Sequence, residues 1–253
     1  MKLYEICFSP TGGTKKVADL LSDELSKELL PVDLTDYTVD FSSLLLSEED
    51  LAVIAVPSYG GRVPAVALQR LSKIKGNGAL AVLVCVYGNR AYEDTLTELM
   101  DAAGQAGFHI AAAVAAIAEH SIARQFAAGR PDIHDHQQLI SFAGQIRQKL
   151  DSGLRNVPVV PGNHPYKKSG GTGMVPKPTK ACVKCGLCAA KCPVQAIDKE
   201  DPGKVDSHVC ISCMRCISIC PHQARKLNPI MLAAANGMLK KVCADRKECE
   251  LFL

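Results

Sequence analysis

Cys182-x2-Cys185-x2-Cys188-x3-Cys192-Pro193 is repeated, after 17 intervening residues, as Cys210-x2-Cys213-x2-Cys216-x3-Cys220-Pro221. Three cysteines with two residues between neighbours wrap a tight loop around one face of an iron–sulfur cubane and supply three of its four ligands. The fourth cysteine of each run ligates the other cluster, and the proline after it turns the chain away without leaving an N–H to satisfy. One [4Fe–4S] cluster therefore takes Cys182, Cys185, Cys188 and Cys220, and the other takes Cys210, Cys213, Cys216 and Cys192. Zinc is the competing reading, but zinc motifs pair two ligands with two more at a distance.

Working outward, ten of the twelve cysteines fall between Cys182 and Cys249, while only Cys7 and Cys85 precede them. This shift in composition marks a domain boundary. Asn156 to Thr179, with five prolines and the glycines Gly170, Gly171 and Gly173, reads as a linker that is stiff at its ends and flexible in the middle. Residues 178–226 form the cysteine-rich module, and 227–253 read as a terminal helix with Met231, Leu232, Ala235, Leu239 and Val242 on one side. Cys243 and Cys249 are too few for another cluster and read as free thiols, Cys249 at the surface; Cys7 and Cys85 read as core residues.

The first 155 residues alternate short apolar runs with helical periodicity, the pattern of a parallel sheet covered by helices. Strands are predicted at Leu3–Phe8, Pro31–Leu34, Leu51–Val56, Ala79–Val86 and Ile110–Ala118. Five strands with intervening helices make a doubly wound α/β sheet, whose ligand crevice lies at the carboxyl ends of the strands. Three loops fall there. Ser9-Pro10-Thr11-Gly12-Gly13-Thr14 runs straight into a helix, and hydroxyls, flexible backbone and a helix N-terminus together suit a phosphate dianion. Pro57-Ser58-Tyr59-Gly60-Gly61-Arg62 and Tyr87-Gly88-Asn89-Arg90-Ala91-Tyr92 each set an aromatic ring beside glycine. Ala118-Glu119-His120-Ser121 also ends near the crevice mouth, where a lone histidine reads first as a structural residue.

In residue type and order the three loops resemble those of the short-chain flavodoxins. The resemblance implies FMN, with its phosphate in Ser9 to Thr14 and its ring between Tyr59 and Tyr92. Backbone groups of Tyr59 to Gly61 and of Gly88 to Ala91 would then meet the polar edge of the ring. Arg62 stands where those flavodoxins commonly carry an acid, and is expected to attract the reduced flavin anion. The cysteine module, with Gly186 inside its first loop, resembles the bacterial two-cluster ferredoxins. The whole chain resembles the fused flavodoxin–ferredoxin proteins of the EFR1 type.

Such a fusion implies an electron-transfer protein relaying electrons between FMN, two [4Fe–4S] clusters and redox partner proteins. An FMN-dependent reductase of a small molecule, with Arg90 and His120 at the flavin, is the alternative class. The formal charge of +3 argues for neither nucleic acid nor membrane as a partner. Met1-Lys2-Leu3-Tyr4-Glu5 meets an acid before any apolar run, and the longest such run, Ile110 to Ala118, is nine residues, so a cytoplasmic protein is expected.

Overall fold

The computed structural model describes residues 2–168, 170 and 173–253; Met1 and the linker glycine Gly171 lie outside them. β1 (Leu3–Cys7), β2 (Leu29–Asp33), β3 (Leu51–Pro57), β4 (Leu80–Tyr87) and β5 (His109–Ile117) form one parallel sheet in the order β2-β1-β3-β4-β5. That order is the flavodoxin-like one, in which the chain changes direction beside β1 and opens a crevice between β1 and β3. Helices α1 (Gly13–Leu25), α2 (Ala65–Leu71) and α3 (Thr95–Gln105) cross over between strands, and α4 (Ile133–Asp151) follows β5 and packs beside α1. Buried on both faces, β3 and β4 are near-continuous apolar runs, Leu51 to Val56 and Ala81 to Val86. Their residues make the centre of the main core.

The cysteine module is small: β6 (Lys177–Pro178) pairs antiparallel with β7 (Arg225–Lys226), and the one-turn helices α5 (Leu187–Ala190) and α6 (Arg215–Ser218) carry the third cysteine of each run, Cys188 and Cys216. Its own core is slight, built on Ala189, Cys192, Ala196 and Ile197. A seam of Met174, Met214 and Ala235, flanked by Ile122, Ile217 and Leu227, ties linker, module and sheet loop together.

One expectation is corrected. The terminal helix, α7, covers only Pro229–Val242, and residues Glu250–Phe252 form β8, antiparallel to β5 with Ala113 opposite Phe252. Without β8, β5 would present an open, alanine-rich edge, and a parallel sheet covers such edges. The chain's last residues therefore complete the sheet begun by its first. The proline-bearing part of the linker is held against α3 and the loop before it over residues 161–167, while the expected flexible middle at Gly170, Gly171 and Gly173 lies partly outside the described residues. Asp94 accepts from the N–H groups of Asn163 at 2.9 Å and Lys167 at 2.7 Å, and Thr97 donates to the Pro161 carbonyl at 2.9 Å.

Candidate functional site

The phosphate-type loop is built by β1 ending where α1 begins. Gly12 takes a left-handed φ of +89° as the residue before the helix, a conformation glycine adopts without strain. Ser9 Oγ accepts from Lys15 N–H at 2.9 Å, and Ser9 N–H donates to Thr35 Oγ1 at 3.0 Å, so Ser9 shapes the loop from behind. Thr11, Gly13 and Thr14, around the start of α1, line a cavity of about 500 Å³. That size suits a cofactor, such sites running from about 300 to 1,000 Å³.

Ser58, Tyr59 and Gly60 make a second wall of this cavity. Tyr59 and Arg62 exchange backbone hydrogen bonds at 2.9 and 3.3 Å around Gly60 and Gly61, whose φ values of +62° and +85° are those of a two-residue primed turn. A Cβ on Gly61 would stand 1.8 Å from Glu93 Oε2, so this position admits only glycine. Tyr87, Gly88 and Arg90 make a third wall, beside His120. His120 Nδ1 accepts from the N–H groups of Ile122 and Ala123, at 3.2 and 3.1 Å, which leaves the proton on Nε2. Burial, then the neighbouring Arg90 charge, lowers its pKa and keeps the ring neutral.

Several sequence-predicted residues stand elsewhere. Tyr92 turns away from the cavity: its ring packs on Tyr87 with centroids 5.1 Å apart, and its hydroxyl donates to Glu250 at 3.1 Å. Only Tyr59 of the expected sandwiching pair lines the cavity. Arg62 is also outside it, bonded to Glu98 at 2.8 and 2.5 Å and lying 4.8 Å over the Tyr166 ring of the linker. It does not stand where it could attract a flavin anion: its charge is neutralised by a carboxylate that also accepts from Val63 N–H. Ser9 and Gly12 face a separate cavity, and Gly61, Asn89 and Ala91 are not in the wall.

Sequence reading missed the remaining walls. Met238, Leu239 and Val242 of α7 close one side, and Ile211 and Ser212 close another. The second pair lies between the ligands Cys210 and Cys213. The apolar face of α7 was visible as a pattern, but its partner was not.

The structure brings eight of the cysteines together in two sets of four. One cavity is lined by Cys182, Cys185, Cys188 and Cys220, and another by Cys192, Cys210, Cys213 and Cys216. Among the described residues, no group of three or more His, Cys, Asp or Glu converges tightly enough to hold a single metal ion. Each set of four thiols instead rings a space, as a cubane's ligands do. Sulfur acceptors are met by donors: Ala224 N–H reaches Cys220 Sγ at 3.3 Å and Arg225 Nη2 reaches Cys188 Sγ at 3.4 Å. Burial pushes the Cys213 and Cys216 thiols up to about 12, so iron must displace protons to bind there. The module touches the phosphate-type loop as well, through Arg215 Nη1 to the Pro10 carbonyl at 3.3 Å. Cys7 and Cys85 are buried as expected; Cys243 and Cys249 are buried too, which corrects the surface placement of Cys249.

Residues 181–224 match the family model of the 4Fe-4S dicluster domain. No curated protein matches the chain. Among solved structures, a flavodoxin from Streptococcus pneumoniae TIGR4 is similar at 21% identity and TM-score 0.42, covering 60% of this chain and 99% of that one. An archaeal flavodoxin is similar at 13% identity and TM-score 0.43, with coverages of 60% and 99%. The general stress protein 14 of Treponema denticola, solved in complex with FMN, is similar at 12% identity and TM-score 0.35, again covering 60% and 99%. The strand order gives the fold on its own. The chain joins a flavodoxin-like domain to a 4Fe–4S dicluster domain, a pairing suited to redox work. Among the described residues, no helix is long and apolar enough to cross a membrane.

Proposed function

We propose that this chain is an electron-transfer protein of the fused flavodoxin–ferredoxin kind, with the EFR1-type proteins as its relatives. It holds FMN in the 500 Å³ cavity and two [4Fe–4S] clusters in the cysteine module, and passes electrons on to redox partner proteins in the cytoplasm. FMN supplies two-electron capacity and each cluster one-electron steps; the protein binds, orients and shields them. The observation that carries this reading is that Ile211 and Ser212, between two cluster ligands, form a wall of the flavin-sized cavity. A relay needs its centres adjacent, and here one loop serves both sites. Tyr59 stands at the same junction, its phenol held protonated by burial and then by the nearby Cys213 sulfur.

A reductase acting on a small molecule is the second reading, favoured by Arg90 and the Nε2–H of His120 in the same cavity. It requires room over the flavin, where α7 now lies. Anaerobically prepared protein should carry about eight irons, eight acid-labile sulfides and one FMN. Stoichiometric zinc with little sulfide, or bound FAD, contradicts the cofactor assignment. Turnover of a small anion that is lost in His120→Ala would move the protein to the reductase class.

A further inference from the structure

Helix α7 covers the flavin cavity, yet its own packing is thin. Ala235 is its one buried residue, and Met238 and Val242 are 73% and 49% exposed although both line the cavity. A helix with so few buried contacts belongs to the low-stability end of a fold. Its anchorage lies just beyond its end. Asn89 is 4% exposed, and its Nδ2 donates to the carbonyls of Cys243 at 3.0 Å and Asp245 at 2.8 Å. Its Oδ1 accepts from Lys247 N–H at 3.2 Å. One side chain thus satisfies three backbone groups of a stretch without regular structure, beginning at the residue that caps α7. Within it, Arg246 pairs with Asp132 and Asp135, and beyond it β8 joins β5. Asn89 itself sits in the loop that walls the cavity, at a left-handed φ of +66°.

We propose that Asn89 is a positioning residue that latches α7 over the flavin cavity. The loop after β4 and the cover above it are thereby fixed to each other. Flavin then enters and leaves only when the latch opens, and while it is closed electrons pass through the iron–sulfur side rather than through a substrate lodged under α7. This rests on the reading of the cavity as a flavin site; the latch itself can be tested without flavin.

Asn89→Gly is the suitable variant, because glycine keeps the positive φ and removes only the side chain. In the cluster-loaded protein without FMN, amide exchange over residues 236–248 should accelerate about tenfold, while β3 and β4 stay protected. In the FMN-loaded protein, flavin release, followed by fluorescence, should accelerate by about the same factor. Unchanged exchange over 236–248 in the folded variant overturns the latch. Should the variant not fold, native-state exchange of the unaltered chain decides. Residues 232–242 and 243–248 opening as one unit supports the latch, and independent opening overturns it. Failure to bind FMN at all would instead sink the flavin reading and leave the exchange result standing.

Discussion

The two cysteine repeats share a backbone and meet opposite surroundings. Lys184 and Ser212, Gly186 and Met214, and Gln195 and Gln223 occupy matching places and all have positive φ, between +48° and +77°. Yet Cys185 is exposed where Cys213 is buried, and Val183 is 61% exposed where Ile211 packs on the sheet core. Leu187 is exposed where Arg215 reaches the phosphate-type loop. One loop design thus serves twice, once toward the flavin cavity and once toward solvent. With the proposed cofactors in place the order would be flavin, inner cluster of Cys192, Cys210, Cys213 and Cys216, outer cluster of Cys182, Cys185, Cys188 and Cys220. On that reading an external carrier would exchange electrons at the outer loop.

The sharpest way to break this contrast uses the crossed ligands. Cys192→Ala removes a residue of the first repeat, yet it should destroy the inner cluster, lowering iron from about eight to about four per chain. The signal that survives should be that of the outer cluster, by electron paramagnetic resonance of the reduced protein. Loss of the outer cluster instead would reverse the ligand assignment.

A second effect separates the repeats by their left-handed positions. Met214 holds φ +62° although it is not glycine, and its side chain is 2% exposed in the seam with Met174 and Ala235. Backbone strain of about 1 kcal/mol is accepted there for packing. Met214→Gly should relieve the strain and still destabilise, by about 2 kcal/mol net, since losing a buried methionine costs about 2–5. Gly186→Ala meets no atom within 4 Å and should cost only the strain, about 1 kcal/mol. Anaerobic denaturant titration of cluster absorbance compares the two; equal losses would mean that Met214 is not part of the joint.

How much of this was legible beforehand follows the range of the interactions. The two sets of four cysteines and the phosphate-type loop are local patterns, set by cysteine spacing and by glycine at a helix start. The doubly wound sheet was legible in its apolar runs, Leu51 to Val56 above all. What escaped depends on pairings between residues distant in sequence, from 36 positions for Arg62 and Glu98 to 158 for Tyr92 and Glu250. Tyr92 looks like a flavin-facing aromatic until Glu250 is seen to receive its hydroxyl. Arg62 looks free until Glu98 and Tyr166 are placed beside it. Helical periodicity past Val242 concealed a strand, because the vacant edge of β5 is not written near residue 250.

The corrected Arg62 gives the smallest expected effect on redox chemistry. Arg62→Ala leaves Glu98, 6% exposed, unpaired, and should cost about 3 kcal/mol of stability. The flavin potential should stay unchanged, because neither side chain lines the cavity. A shift of tens of millivolts with stability intact would return Arg62 to the flavin.

The central claim, that electrons pass between flavin and inner cluster through the shared loop, is tested most directly by kinetics in the chain itself. A flash-generated donor too large to pass under α7 reduces the clusters anaerobically, and flavin absorbance is followed. The account predicts first-order flavin reduction at a rate independent of protein concentration, which disappears in Cys213→Ala, whose outer cluster remains. Flavin reduction at an unaltered rate without the inner cluster would contradict it.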